Sequence, residues 1–200
     1  MTKESDNFFK NNKPIFITGA VRETDLPKND FTEFAFIGRS NVGKSSLINA
    51  ITNSNIAIVS KTPGRTKELN FFQMANKLTI VDMPGYGYAK ANKKQVENWN
   101  DLIIQYLLYR RNLKRVFLLI DSRHGVKEND EQVMSVLDKS AILYQIILTK
   151  IDEIKPDDLE LNIFNIKEIF KKHPALFGDI LCASSKYKIG LEQIRKVMFE

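Results

Sequence analysis

One segment of the sequence has the residue types and spacing that bind nucleoside phosphates. Residues 38–45 read Gly-Arg-Ser-Asn-Val-Gly-Lys-Ser, which fits the pattern G-x-x-x-x-G-K-[ST]. The glycines let backbone N–H groups surround phosphate oxygens, and a helix that starts here adds positive potential. Lys44 is predicted to reach the β- and γ-phosphates, and the Ser45 hydroxyl to bind Mg²⁺. The sequence therefore predicts a phosphate-binding loop that consists of Gly38, Arg39, Ser40, Asn41, Val42, Gly43, Lys44 and Ser45.

A second motif, Asp82-Met83-Pro84-Gly85, follows a later predicted strand. The carboxylate of Asp82 can hold Mg²⁺ through a water molecule, and the N–H of Gly85 can donate to a γ-phosphate. Alone, Asp and Gly after a strand usually make only a turn, so the interpretation depends on the preceding phosphate loop. Between the two motifs, residues 61–66 read Lys-Thr-Pro-Gly-Arg-Thr. One threonine hydroxyl there suits Mg²⁺ as well, and the spacing does not choose between Thr62 and Thr66.

A third motif, Thr149-Lys150-Ile151-Asp152, is predicted to read the base. It follows a buried strand, at the edge where open α/β sheets bind ligands. A carboxylate accepts two hydrogen bonds, which matches the N1–H and N2–H₂ donors of guanine, whereas adenine has no such pair. Asp152 is therefore expected to select guanine, with the Lys150 stem over the base plane. The backbone N–H groups of Ala183-Ser184-Ser185, which end the last predicted strand, are expected to meet guanine O6.

The hydrophobic pattern places these motifs in an α/β fold with a mostly parallel sheet and helices on both faces. The predicted strands are 34–37, 68–74, 77–82, 116–120, 141–148 and 179–183. The second and third are expected to be antiparallel, because only two residues separate them. The predicted helices cover 44–53, a segment with Val96, Trp99 and Ile103, and segments that open at 128, 156 and near 191.

Composition excludes several other classes of protein. The 200 residues are 43% hydrophobic and 27% charged, with 9 Gly and 6 Pro, which excludes collagen-like and disordered chains. A lone Cys182 excludes an intrachain disulfide and a multi-cysteine metal site. We expect a flexible N-terminus over 1–13 and one GTPase domain over 14–200. Apolar runs are too short for a signal peptide or a membrane span, so a cytoplasmic protein is expected.

Taken together, the motifs resemble translation-factor-type GTPases. The segments GRSNVGKSS, KTPGRT, DMPGYGYA, TKID and the late Ser-Ser resemble the EngB/YihA family of bacterial GTP-binding proteins, over roughly residues 14–198. The resemblance implies a Ras-like fold with a six-stranded sheet, one strand of it antiparallel, and binding of GTP and Mg²⁺. It also implies a role in large ribosomal subunit assembly and a link to cell division and septation. Within KTPGRT it selects Thr66 as the Mg²⁺ ligand. The nucleotide-binding residues expected around that segment are Gly64, Arg65, Thr66, Lys67 and Glu68.

Two positions depart from the usual motifs, and two others bear on hydrolysis. Thr149 stands where most guanine-specific NTPases have Asn, although Thr is usual in the family, and Ala183 stands where relatives often have Phe. Tyr86 occupies the place of the glutamine that orients water in Ras-like enzymes, so slow hydrolysis is expected. Asn41 matches an asparagine that holds K⁺ in related GTPases; the alternative is a role in shaping the loop. The residues expected to act in catalysis are Lys44, Thr66, Gly85 and Asn41.

Two other functions remain open at this stage: a P-loop ATPase or small-molecule kinase, and a nucleotide-regulated RNA-binding module. Residues 90–115 carry seven Lys or Arg and two Asp or Glu, which is +5 of the chain's net +6. Lys90, Lys93 and Lys94 are candidates for contacts with rRNA phosphates. The alternative is a solvated face with helix-ending cations. The expected partners are GTP or GDP and the large ribosomal subunit or its precursors, with the protein itself a monomer.

Overall fold

The protein is described by a computed structural model over residues 2–58, 68–86 and 101–200. Within these ranges seven strands form one sheet in the order β1-β3-β4-β2-β5-β6-β7. The strands β1 to β7 are Pro14–Ala20, Thr32–Gly38, Leu69–Met74, Leu78–Asp82, Leu113–Asp121, Tyr144–Thr149 and Leu181–Ala183. The helices α1 to α6 are Thr2–Asn11, Lys44–Thr52, Asp101–Tyr109, Glu128–Lys139, Pro156–Phe170 and Leu191–Phe199. In this part of the chain, no helix has the length and apolar character needed to cross a bilayer.

The central strands are buried on both faces, as their continuous apolar runs predict. Alternate residues of β2 and β5 enter two separate cores: Phe36 and Phe117 enter one, Ile37 and Leu118 the other. Helices α1, α2 and α6 cover the first core, and α3, α4 and α5 cover the second. The predicted α/β sheet with helices on both faces is therefore confirmed. The expected helical residues Val96 and Trp99 lie outside the described ranges.

Strand direction brings the predicted motifs to one edge of the sheet. Strands β4, β2, β5, β6 and β7 pair in parallel, whereas β3 pairs antiparallel with both β1 and β4. The strand β3 is thus the one that runs against the others, as expected. Because the other strands share a direction, the carboxyl ends of β2, β4, β5 and β6 meet at the same edge.

The sheet has seven strands rather than the expected six, and the additional one is β1. It pairs along β3 at the end of the sheet, and the ring of Phe16 lies 5.8 Å from that of Phe72. Ile15, Phe16 and Ile17 are 62%, 52% and 41% exposed. These three successive residues are all apolar and none is buried, so they lack the alternation of apolar and polar residues by which a half-buried strand is recognised. The sequence therefore did not predict β1.

The N-terminal segment also differs from the expected flexible stretch, because Thr2–Asn11 forms helix α1. Its Phe9 side chain is fully buried, and the Phe8 ring lies 5.5 Å from Phe199 of α6. The guanidinium of Arg195 donates to the carboxylate of Asp6 at 2.8 Å and to the carbonyl of Ile51 at 2.9 Å. Two phenylalanines in an otherwise polar segment therefore attach this helix to α6.

Because helix α1 is packed against the rest of the protein, a substitution of Phe9 should lower the free energy of unfolding. The same substitution in a flexible terminus would not change it. Phe9→Ala should lower the free energy of unfolding by about 3 kcal/mol, because it removes a buried aromatic ring and leaves a cavity. Urea denaturation measures this loss. Asn7→Ala, at an exposed position of the same helix, is the control and should unfold like the unmodified protein. Equal midpoints for the two variants would contradict the docked helix.

Candidate nucleotide-binding site

The predicted phosphate loop lies between the end of β2 and the start of α2, at the carboxyl edge of the sheet. Two of its glycines are required by geometry. Gly43 has φ +98°, in the left-handed region that other residues avoid. A Cβ on Gly38 would lie 2.8 Å from Val42 Cγ1 and 2.9 Å from the carbonyl oxygen of Leu119. The chain can make this tight turn into the helix only with glycine at both positions.

Side chains and backbone from the other motifs hold the loop in place. The hydroxyl of Thr149 donates to the carbonyl of Val42 at 2.7 Å, and Lys150 Nζ donates to the carbonyl of Asn41 at 2.7 Å. The N–H of Tyr86 donates to the carbonyl of Gly38 at 3.2 Å. These three contacts bind carbonyl groups of the loop and so do not use its N–H groups.

Lys44 and Asp82 meet at the phosphate end of the site. The Nζ of Lys44 bonds to a carboxylate oxygen of Asp82, and both side chains are largely buried. Ser45 follows Lys44 in the first turn of α2. A carboxylate and a hydroxyl beside a phosphate loop are the hard oxygen donors that Mg²⁺ takes from proteins, together with substrate phosphates and waters. The donor set therefore fits Mg²⁺.

A cavity of about 600 Å³ runs along helix α2, from Gly43 before the helix to Asn55 after it, beside the ends of β6 and β7. It brings together Gly43 of the phosphate loop with Thr149, Lys150 and Asp152, and with Ser185 after β7. The sequence analysis did not select several polar residues that also line it. These are Ser46, Asn49, Asn53, Ser54, Asn55, Glu153, Lys186 and Lys188.

The other predicted base-site residues have local roles. Ala183 is buried, and the buried Ser184 accepts the N–H of Tyr187 on its hydroxyl at 3.1 Å. Ile151 opens a short 3₁₀ turn that carries Asp152. Of the late Ser-Ser pair, therefore, Ser185 faces the cavity whereas Ser184 shapes the turn.

Sequence reasoning missed the ion pairs that place Lys150. Its Nζ contacts the carboxylate of Asp121 at 2.8 Å, and Arg123 donates to both oxygens of that carboxylate at 2.8 and 2.7 Å. Burial raises the pKa of Asp121, but the hydrogen bonds from Arg123 and Lys150 outweigh it and hold the pKa well below its usual value. The charged carboxylate thus directs the Lys150 stem past Gly43. The sequence did contain a signal for this ion pair, since Asp121 ends a buried strand and Arg123 follows two residues later.

Part of the predicted site lies outside the described residues, and Glu68 and Asn41 do not line the cavity. Thr62, Gly64, Arg65, Thr66 and Lys67 lie outside the described residues. Glu68 is exposed just before β3, where its carboxylate lies against Gly19 of β1. Asn41 is exposed with φ +65°. The described site thus consists of the phosphate loop, residues 82–85, Thr149–Asp152 and Ser185.

Comparisons with known proteins show which family this chain resembles. A family model described as "50S ribosome-binding GTPase" matches residues 33–150. The probable GTP-binding protein EngB of Bradyrhizobium diazoefficiens is 50% identical over 186 residues, 92% of this chain and 86% of that protein. The protein of the same name from Bartonella tribocorum is 49% identical over 196 residues, 93% and 92% of the two chains.

Solved structures show the same fold. A crystal structure of a probable GTP-binding protein EngB has a TM-score of 0.66 at 24% identity, over 84% of this chain and 97% of that one. A variant of Aquifex aeolicus Era bound to GDP·AlF₄⁻ has a TM-score of 0.63 at 26% identity, over 82% and 55% of the chains. The family match spans the phosphate loop, residues 82–85 and Thr149.

The contact between Thr149 and Val42 predicts that one hydroxyl contributes to nucleotide affinity. Thr149→Val keeps the side-chain shape but leaves the buried Val42 carbonyl without this donor, which costs about 1 kcal/mol, roughly 5-fold in affinity. Titration of a fluorescent GDP measures the change. Thr149→Ser retains the hydroxyl and should bind like the unmodified protein. If the valine variant binds GDP with unchanged affinity, this contact does not support the loop.

Proposed function

Because the chain belongs to the EngB family of GTP-binding proteins and is a GTPase, we propose that it is a GTP-dependent switch in assembly of the large ribosomal subunit. The family and the enzyme class predicted from the motifs are thereby confirmed. We further propose that it acts in the cytoplasm as a monomer and is needed for normal cell division and septation. The observation that carries the proposal is the cavity where Gly43, Thr149, Lys150 and Asp152 meet beside the phosphate loop.

The site suggests how each part of GTP is bound. The phosphates lie against the loop N–H groups and Lys44, whose charge offsets that of the β- and γ-phosphates. The base enters the cavity beside Asp152, which accepts the two guanine donors. Hydrolysis transfers the γ-phosphoryl group to water, breaks its bond to the β-phosphate oxygen, and yields GDP and phosphate. Lys44 and the N–H of Gly85 stabilise the charge that shifts during this transfer.

Mg²⁺ belongs to this proposal with Ser45, Thr66 and Asp82, the last through water, as the residues that would hold it. The ion would neutralise phosphate charge when bound. Tyr86 cannot orient the attacking water as a glutamine does, because its hydroxyl is buried and donates to Asp130 at 2.7 Å. We therefore propose slow intrinsic hydrolysis. A K⁺ ion held by Asn41 would add positive charge, and equal rates in K⁺ and Na⁺ would exclude that role.

Guanine selection by Asp152 is tested by a change of one atom. Asp152→Asn replaces an acceptor oxygen with a donor, which opposes the N2–H₂ of guanine but matches the O2 of xanthine. We expect GTP affinity to fall about 10-fold or more, the effect of losing a hydrogen bond to a charged group, and XTP affinity to rise. Competition titrations with GTP, XTP and ATP measure both effects.

Asp157→Asn, at an exposed position in the first turn of α5, is the matched control and should leave all three affinities unchanged. The same titrations separate the proposal from a P-loop ATPase or kinase. ATP binding as tight as GTP binding in the unmodified protein, or unchanged GTP affinity in the Asp152 variant, would contradict guanine selection.

The proposed ribosomal partner is supported by the family description and by the charge of residues 90–115. The described part of this segment uses two of its cations internally. Arg110 binds the buried carboxylate of Glu33, and Arg115 donates to Gln145 at 2.7 Å. Arg111 and Lys114 are exposed. Lys90, Lys93 and Lys94 lie outside the described residues, so their role stays a prediction.

Changing Lys90, Lys93 and Lys94 together to Ala should weaken binding to large-subunit particles without altering GTP affinity. Each phosphate contact releases counterions. Losing three contacts should therefore make the slope of log affinity against log salt concentration less negative by about 2 to 3. Co-sedimentation across a KCl series, with GDP and with a nonhydrolysable GTP analogue, measures the slope. The control removes the same charge from the exposed Lys155, Lys167 and Lys172. Identical slopes for both triple variants would show that the charge is a solvated face.

A further inference from the structure

Tyr86 directly follows Gly85 and is attached to the phosphate loop through its backbone. Its N–H donates to the carbonyl of Gly38 at 3.2 Å, and its carbonyl accepts the N–H of Ser40 at 2.9 Å. Gly85 therefore lies close against the loop: a Cβ at this position would be 3.3 Å from the Gly38 oxygen and 3.4 Å from Ser40 N. The position of Gly85 thus depends on where Tyr86 is held.

The side chain of Tyr86 is attached to helix α4. The ring is 5% exposed, and its hydroxyl donates to Asp130 Oδ1 at 2.7 Å. Burial, and then the neighbouring Asp130, raise the pKa of Tyr86 well above its usual value, so the hydroxyl stays protonated and remains a donor. Tyr86 thus connects the segment after β4 to a helix 44 residues further along the chain.

Asp130 is the fully buried centre of this connection. Its Oδ2 accepts the N–H of Lys127 at 2.9 Å, and Arg39 Nε of the phosphate loop lies 3.4 Å from the same oxygen. Glu128 and Glu131 in the same helical turn are exposed and can interact with the helix dipole without burial. A buried carboxylate needs compensating partners, and Asp130 has hydrogen bonds from Tyr86 and from the N–H of Lys127, together with the ion-pair contact to Arg39.

We infer that Tyr86 is a positioning residue for the γ-phosphate: held by Asp130 and Arg39, it fixes the N–H of Gly85 where the γ-phosphate of GTP binds. The inference rests on the proposed function in one respect, the contact between Gly85 and the γ-phosphate. Because GDP lacks this phosphate, the connection contributes more to the affinity for GTP than to the affinity for GDP. Discrimination between the two nucleotides therefore depends on the Tyr86 hydroxyl.

The test compares the affinities for GDP and for the β,γ-imido analogue of GTP. Tyr86→Phe removes only the hydroxyl, and we expect the affinity for the analogue relative to GDP to fall at least about 5-fold, the lower end of usual coupling between sites. Asp130→Ala removes the acceptor and should lower the ratio in the same direction. In the double variant the effects should not add, since both changes break one bond.

Tyr106→Phe is the matched control. Tyr106 is also a buried tyrosine, and its hydroxyl donates to a buried carboxylate, that of Glu33, at 2.9 Å. Glu33 lies at the start of β2, at the opposite end of the strand from Gly38. This variant should lose stability in urea as Tyr86→Phe does, yet leave the nucleotide ratio unchanged. An equal change in the ratio for both tyrosine variants would overturn the inference, because it would indicate a general loss of packing.

Gly85→Ala separates this inference from its premise. If this variant lowers the affinity for the analogue but Tyr86→Phe leaves the ratio unchanged, the positioning role is wrong and the γ-phosphate contact stands. If Gly85→Ala also leaves the ratio unchanged, the contact itself is wrong and the inference fails with it. A fall in both variants supports the positioning role.

Discussion

A loop that surrounds phosphates with its N–H groups must satisfy its carbonyl groups elsewhere, since buried backbone acceptors need partners. In this protein two donors meet that need at buried residues: the hydroxyl of Thr149 on Val42 and the N–H of Tyr86 on Gly38. The ammonium of Lys150 also bonds to the carbonyl of the exposed Asn41. The segment Thr149–Asp152 and the segment that ends at Tyr86 are therefore part of the hydrogen bonding of the phosphate loop itself. A change in either one acts on the loop.

Parallel strand pairing makes this arrangement possible. In the register of β5 and β6, Asp121 lies opposite Thr149, so the carboxylate that orients Lys150 is one strand away. In the register of β2 and β4, Phe36 lies opposite Asp82, so Asp82 ends its strand beside the loop that follows Gly38. The apolar residues of these strands fix the register by filling two cores, and polar residues begin where the strands end. The core thus determines the distances within the site.

The sequence could predict the parts of this structure that are local in the chain. The phosphate loop, the residues 149–152 and the buried strands have signatures within a few residues, because loop geometry and burial on both faces impose them. The strand β1 and the helix α1 could not be predicted, since each depends on a neighbour distant in sequence. Asp130 shows the same limit: its sequence context indicates a helix-dipole role, and only tertiary structure supplies Tyr86 as its partner.

The pairing of Tyr86 with Asp130 has a thermodynamic consequence for helix α4. Asp130 is buried, so displacing any one of its donors leaves carboxylate charge that the interior compensates less well. The arrangement in which Tyr86 is hydrogen-bonded to Asp130 is therefore lower in free energy than any arrangement in which Tyr86 has moved away. Coupling between two sites is reciprocal: if γ-phosphate binding favours the bonded arrangement, then a perturbation of α4 that breaks it must weaken γ-phosphate binding by the same factor. If that condition holds, helix α4 is energetically connected to the nucleotide through Asp130 and Tyr86.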